Sequence, residues 1–329
     1  MQKTITSLAE GFRNGPFSSM LDLTATKGGA RLANTAPDIV IEQWRLYLVF
    51  ACTTLTMTGP LQQSSVQSSS HLRKGSKQQH RGERILSAGE LFGRIIPFLA
   101  VSNPGVRDAV VMGLGSINKN LYCTLLEALQ PAVVNCNDEA KARITNYQST
   151  ANSPRRSRRT DHLRTEIAHI YKLTSHFLQS PEVYEDEATL RNLVDYTQEL
   201  RLFLNDAEVQ TEWEFHKLRT HYCGLMEQMY EGIKKSKDPA RWMSFQARKA
   251  AFALMEDWCG YSPNQSQIRQ REDNMRMSML DREQELGGNG IVSAAIEIEK
   301  RDLRTAALSS MATLCVSSAF HLLTSHSQY

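Results

Sequence analysis

A chain of 329 residues, 41% hydrophobic and 22% charged, is long enough to bury a core or to form two helical modules. Its 38 Lys and Arg nearly cancel its 35 Asp and Glu, and a net charge of +3 does not by itself argue for nucleic acid. Six scattered cysteines (Cys52, Cys123, Cys136, Cys223, Cys259, Cys315) form no CxxC pair, so they read as reduced thiols in a cytoplasmic protein rather than as a disulfide framework.

Residues 1–34 mix Gly, Thr, Ser and Lys without periodicity; they read as mostly disordered and lack the basic-then-apolar layout of a secretion signal. Thr35 and Pro37 then open a helix, one as cap and one where a missing N–H costs nothing. Ile41, Trp44, Leu48, Ala51 and Leu55 give it one apolar face, and Gly59-Pro60 ends it. Its apolar stretch, Leu46 to Met57, is too short to span a bilayer. Residues 61–83 are Gln, Ser, Lys, His and Arg with almost nothing apolar, a polar insertion that cannot fold alone. A helix from Ala88 runs through Leu91, Ile95 and Leu99, with Pro97 expected to kink it. Asn103-Pro104 makes a turn into a helix reaching about Ile117, and a further helix from Leu121 to Leu129 is expected to stop at Pro131.

The segment 35–134 thus reads as helical repeat, 135–160 as a basic Ser/Arg linker, 161–315 as a second helical repeat segment and 316–329 as an atypical tail. In the second segment the predicted helices cover about 161–179, 182–204, 206–234, 240–258, 267–286 and 291–322. Ser180-Pro181 and Asp238-Pro239 mark starts and Gly260 a stop. From Thr305 onward there is no Asp, Glu, Lys or Arg, which suits a buried or frayed last helix. Nothing reads as a strand.

Chemistry is sparse. His162, His169 and His176 recur every seven residues on one helix, about 10 Å apart, too far to share a metal. His216 and Cys223 would make a Cys–His pair only with a loop or Gly-rich turn to expose them, and none is present, so buried structural residues are expected. Gly113-Leu114-Gly115 lacks the third glycine and the βαβ setting of a dinucleotide turn. Trp213, Trp242 and Trp258 sit on amphipathic faces as core residues. These patterns predict no catalytic, cofactor or metal site and no small-molecule substrate. The strongest surface feature is the cluster Arg155, Arg156, Arg158 and Arg159, a candidate for binding a partner or phosphate. Ser153 and Ser157 beside it are candidate phosphorylation sites whose phosphates would cancel that charge. No aromatic residues interleave the arginines, so there is no base-stacking platform.

One pattern recurs: an apolar residue, Arg, any residue, Ala, then a small or branched apolar residue. It occurs at Arg107/Ala109, Arg248/Ala250 and Arg304/Ala306. Small Ala lets a neighbouring helix approach, while Arg lays its stem on the seam and keeps its charge in water. Such positions suit repeat packing in HEAT-like hairpins, so the expected fold is all-α, a HEAT/armadillo-like α-solenoid of stacked helical hairpins joined by disordered linkers.

The run Phe245-Gln246-Ala247-Arg248-Lys249-Ala250-Ala251-Phe252-Ala253-Leu254-Met255-Glu256-Asp257-Trp258-Cys259-Gly260-Tyr261 resembles the fungal branch of the Furry family of cell morphogenesis proteins, as does Ser102-Asn103-Pro104-Gly105-Val106-Arg107-Asp108-Ala109. The resemblance extends over about residues 36–312 and corresponds to a truncated N-terminal region of much longer proteins. It implies a non-catalytic scaffold that acts with an NDR-type kinase and its Mob co-activator in polarised growth, actin organisation and cell separation. It also implies a cytoplasmic location, at the cell cortex or sites of growth. The alternative reading is a helical, peripherally membrane-associated adaptor using the basic linker and the uncharged C-terminal stretch.

Overall fold

The computed structural model describes residues 37–56, 87–147, 158–259 and 291–316, with isolated helical positions between 266 and 277. The expectations for 1–34, 61–83, the Gly59-Pro60 stop, Ser153 to Ser157 and 317–329 lie outside these residues. Among the described residues there are helices and no strand. The α-helices are α1 (Pro37–Thr54), α2 (Ala88–Ile95), α3 (Pro104–Gly115), α4 (Tyr122–Tyr147), α5 (Arg158–Thr174), α6 (Pro181–Tyr184), α7 (Glu187–Leu204), α8 (Ala207–Thr211), α9 (His216–Ile233), α10 (Pro239–Trp242), α11 (Phe245–Trp258) and α12 (Ile291–Cys315). Short 3₁₀ turns cover Ile96–Ala100, Lys119–Leu121, Ser175–Gln179 and Trp213–Phe215.

Local chemistry explains most starts. Ser87 and Glu90 form a capping box on α2, with the Glu90 N–H donating to Ser87 Oγ at 3.2 Å and the Ser87 N–H to Glu90 Oε2 at 3.0 Å. Asn103 accepts from the Val106 N–H at 3.1 Å with Pro104 in the first turn. Pro97 does not kink a continuing helix; the chain switches to 3₁₀ geometry there and carries Phe98 and Leu99 inward.

Three predicted helices are broken by features within a periodic stretch. Asp186 accepts from the Thr189 N–H at 2.9 Å and separates α6 from α7, and Ser244 accepts from the Ala247 N–H at 3.2 Å and separates α10 from α11. A 3₁₀ turn at Trp213–Phe215 divides α8 from α9. The opposite correction applies at Pro131, where α4 continues through the proline to Tyr147. Residues 135–147, expected as linker, are therefore helix, and 158–160 already belong to α5. An interior proline costs about 3 kcal/mol. Here the apolar face Leu125, Leu129, Val133 and Cys136 runs past it, and burying two such side chains beyond the proline offsets that cost at about 1.5–3 kcal/mol each.

Packing arranges the helices in two layers. In one, α1 lies on α3, α3 on α5, α5 on α9 and α9 on α12; in the other, α2 lies on α4 and α4 on α7. The layers meet through α4 on α5 and α7 on α9. Close approach is enforced by glycine at two seams. A Cβ on Gly113 would stand 2.9 Å from Leu48 Cβ across α1–α3, and one on Gly232 would stand 2.6 Å from the Leu178 carbonyl oxygen. Gly113 thus serves packing at the end of α3, not a nucleotide. Tyr171 stacks on Tyr196 at 3.8 Å between α5 and α7, and Trp44 meets Phe98 edge-on at 5.9 Å.

Candidate functional site

A basic residue in the first turn of a helix opposes the positive end of the helix dipole. Yet the fourth residue of α3, α9 and α11 is arginine in each case: Arg107, Arg219 and Arg248. Each guanidinium turns to the carbonyl-rich end of another element. Arg107 Nη1 donates to the Val101 and Ser102 carbonyls at 2.9 and 2.8 Å, and its Nε donates to Glu166 on α5 at 3.1 Å. Arg219 is fully buried and its Nη2 donates to the carbonyls of Val209 at 2.6 Å and Glu212 at 2.9 Å. Arg248 Nη1 donates to the Leu314 carbonyl at 3.0 Å in the last turn of α12, with its guanidinium 5.0 Å from the Tyr230 ring centre. Helix ends leave carbonyls without internal partners, and these arginines supply the donors.

This arrangement regroups the recurring pattern. Arg107 does not keep its charge in water, being buried between carbonyls and a carboxylate. Arg304 lies exposed in the middle of α12, while Arg219, which has no Ala two residues on, takes the structural role. Ala109 is fully buried, whereas Ala250 and Ala306 are half-buried and the next residues, Ala251 and Ala307, carry the contact. Position within the helix was the signal that would have found Arg219.

Arg107 also borders a groove of about 380 Å³ where α3, the first turns of α5 and α9, and α12 converge. Asp161, Glu166, Glu214 and Glu299 contribute carboxylates, Arg107 and Lys217 cations, and Trp213 an indole stacked on His216 at 4.2 Å. Burial and the neighbouring Arg219 hold His216 down at about 4, so its ring is neutral near pH 7. The groove can accommodate a side chain of mixed polarity, but it has no thiol or hydroxyl paired with a base.

Cys223 lies about two turns further along α9, fully buried, with burial pushing its thiol well above the ordinary value, the reverse of an activated thiolate. His162 and His169 lie on α5 and His176 in the 3₁₀ turn after it. His162 is exposed, His169 stacks on His221 of α9 at 4.2 Å, and His176 Nδ1 lies 2.7 Å from the Leu173 carbonyl. Burial holds His221 down at about 3, with His169 the next cause, and burial lowers His169 too, followed by Lys172. No group of three His, Cys, Asp or Glu suited to a metal occurs among the described residues. Trp258 is buried, while Trp213 and Trp242 are half-buried.

Of the basic cluster, Arg155 and Arg156 lie outside the described residues, as do Ser153 and Ser157. Arg158 opens α5 and Arg159 follows it, exposed, so this part of the cluster belongs to a helix start and not to a linker.

No family model matches the chain, and no solved structure matches it. Curated proteins do, two of them as follows. Cell morphogenesis protein PAG1 of Saccharomyces cerevisiae is 30% identical over 292 residues, which are 87% of this chain and 11% of PAG1. Cell polarity protein mor2 of Schizosaccharomyces pombe is 28% identical over 288 residues, 85% of this chain and 13% of mor2. The chain therefore spans little more than a tenth of the length of these relatives, and neither name denotes an enzyme. The match runs through the helices that carry Arg107, Arg219 and Arg248, and by it the chain is a homologue of the fungal Furry-family proteins of cell morphogenesis.

Proposed function

We propose that this chain is a stretch of HEAT/armadillo-like α-solenoid serving as a non-catalytic scaffold in cell morphogenesis and polarised growth. In this reading it works in the cytoplasm, at the cortex, with an NDR-type kinase and its Mob co-activator. The observation that carries the reading is the relationship to PAG1 and mor2 along 87% and 85% of the chain, since both names denote morphogenesis or polarity. The helix order supports the solenoid: α1, α3, α5, α9 and α12 neighbour one another in sequence order, as stacked repeats do. Stacked hairpins present long surfaces to partners without pocket chemistry, and burial raises the Cys223 thiol and lowers His169, His216 and His221. No described helix is long and apolar enough to cross a membrane.

The test is a pull-down of the purified 329-residue chain with an NDR-type kinase and its Mob subunit at two salt concentrations. Retention of the complex supports kinase docking on this segment. No retention by a chain that circular dichroism shows to be helical removes kinase docking from it. Binding to anionic liposomes that disappears when Arg155, Arg156, Arg158 and Arg159 are replaced would favour the adaptor reading instead.

A further inference from the structure

The groove beside Arg107 is negative. Its walls carry the carboxylates of Asp161, Glu166, Glu214 and Glu299 against two cations, Arg107 and Lys217. Arg107 is already engaged, since its Nε donates to Glu166 at 3.1 Å. Arg164 Nη1 stands 3.9 Å from Asp161 Oδ1, and Lys217 is exposed, where water screens it. Glu299 on α12 is half-buried and has no ion-pair partner among the described residues. At about 380 Å³ the groove falls within the size of known ligand sites, roughly 300–1,000 Å³. Charge alone therefore selects a cation.

A second observation narrows the kind of cation. His216 lines the groove and is only 3% exposed, yet its Nδ1 has no hydrogen-bond partner among the described residues. Its ring is neutral near pH 7, and hydrogen bonding to the Glu299 backbone occupies the ring N–H, which leaves Nδ1 as an acceptor. A buried acceptor of this kind calls for an N–H donor. Beside it Trp213 stacks one side of its indole on His216 at 4.2 Å, and no cation stands over Trp213 among the described residues. Arginines do lie over Trp242 and Tyr230 elsewhere in the chain. Carboxylates, an aromatic face and a buried acceptor together match a guanidinium, which is planar, stacks on indole and carries five N–H donors. A lysine ammonium is a compact point charge without that fork. Free arginine would bring its own carboxylate into an acidic groove, so an arginine within a peptide fits better.

We propose that this groove binds an arginine side chain presented by a partner protein, its guanidinium set among Trp213, Glu214 and Glu299 with His216 Nδ1 as an acceptor. The proposal stands on the groove itself, independently of the kinase and Mob reading. It is tested in the full chain labelled with 5-fluorotryptophan, whose four tryptophans give four fluorine signals. Trp213→Phe assigns the signal of Trp213. The probes are acetyl-Gly-Arg-Gly-amide, the same peptide with citrulline, the same peptide with lysine, and free arginine. The arginine peptide should move the Trp213 signal to saturation while the buried Trp44 and Trp258 signals stay in place. The citrulline peptide, equal in length but uncharged, should leave it unmoved, and lysine and free arginine should bind more weakly. Glu299→Gln should weaken the arginine peptide about fivefold or more with circular dichroism unchanged, and Glu214→Gln should act in the same direction. An unmoved Trp213 signal, as when a segment of this chain already fills the groove, would overturn the proposal. So would an equal shift with citrulline, tighter binding of free arginine or lysine, or a Trp44 or Trp258 signal that moves in step.

Discussion

The α3 and α9 junctions use the same residue at the same place for the same task, but in different surroundings. At α3 the Arg107 guanidinium bonds two carbonyls and Glu166 and still borders the groove. At α9 Arg219 has no exposed surface, and its Nη2 donates to the carbonyls of Val209, Gln210 and Glu212. One junction ties a helix start to the neighbouring helix through a charge pair; the other closes a broken helical stretch from inside. The energetic weight of a buried donor follows what it leaves behind when removed, so the second junction should be the more fragile.

Arg219→Ala therefore gives the largest expected effect. It leaves the carbonyls of Val209, Gln210 and Glu212 without this donor and opens a void, and urea melts should show a loss of about 3–5 kcal/mol. Arg107→Ala, with solvent able to enter from the groove, should cost less, about 2–3 kcal/mol. Equal losses would break the comparison.

Acid sharpens it next, because α9 also carries His216 and His221. Both have folded values, about 4 and about 3, below the ordinary value near 6.5, so the unfolded chain takes up these protons first. Their contribution to stability is complete above pH 6.5 and is lost as pH falls toward 4 and 3, at about 1.4 kcal/mol per pH unit for each group. Denaturant midpoints measured from pH 7 to 4 should fall accordingly, and His221→Gln should flatten the slope. An unchanged slope in that variant would count against the buried stacked pair.

Gly232→Ala tests the α9 seam without touching a charge. Its new methyl meets the Leu178 carbonyl at 2.6 Å, and a backbone atom cannot move aside cheaply. A loss of about 1–3 kcal/mol in thermal or urea unfolding is expected. Smallest is the exposed two-pronged pair of Arg241 with Glu187, at 2.9 and 3.2 Å. Arg241→Ala should change stability by less than about 1 kcal/mol, which sets the scale of a surface charge against the buried ones.

Much of the helical organisation was legible from a few residues at a time. Asn103-Pro104 and Asp238-Pro239 announce helix starts, and the side chains of Asn103 and Asp238 accept from N–H groups three residues on. The apolar stripe of Ile41, Trp44 and Leu48 marks the face that α1 buries. The stacked partner of His169, by contrast, comes from another helix and no spacing on α5 announces it. The family resemblance rested on two runs, around Arg107 and Arg248, and both lie at the starts of helices that make the junctions described here.

The recurring Arg-x-Ala pattern was a weaker guide, because it registers neighbours in sequence. It paired Arg304 with Arg107 and Arg248, although Arg304 is exposed, and passed over Arg219. Pro131 likewise marks a helix end by its own chemistry and ends nothing in α4, because Val133 and Cys136 beyond it are buried.

Amphipathic faces and the caps at Asn103 and Asp238 were thus determined by the sequence alone, since backbone hydrogen bonds and periodicity act within a turn or two. Which charges are buried, and beside what, was decided only by the tertiary structure. Arg107 meets Glu166 across 59 positions and Arg248 meets Leu314 across 66, and desolvation depends on every helix that closes around them.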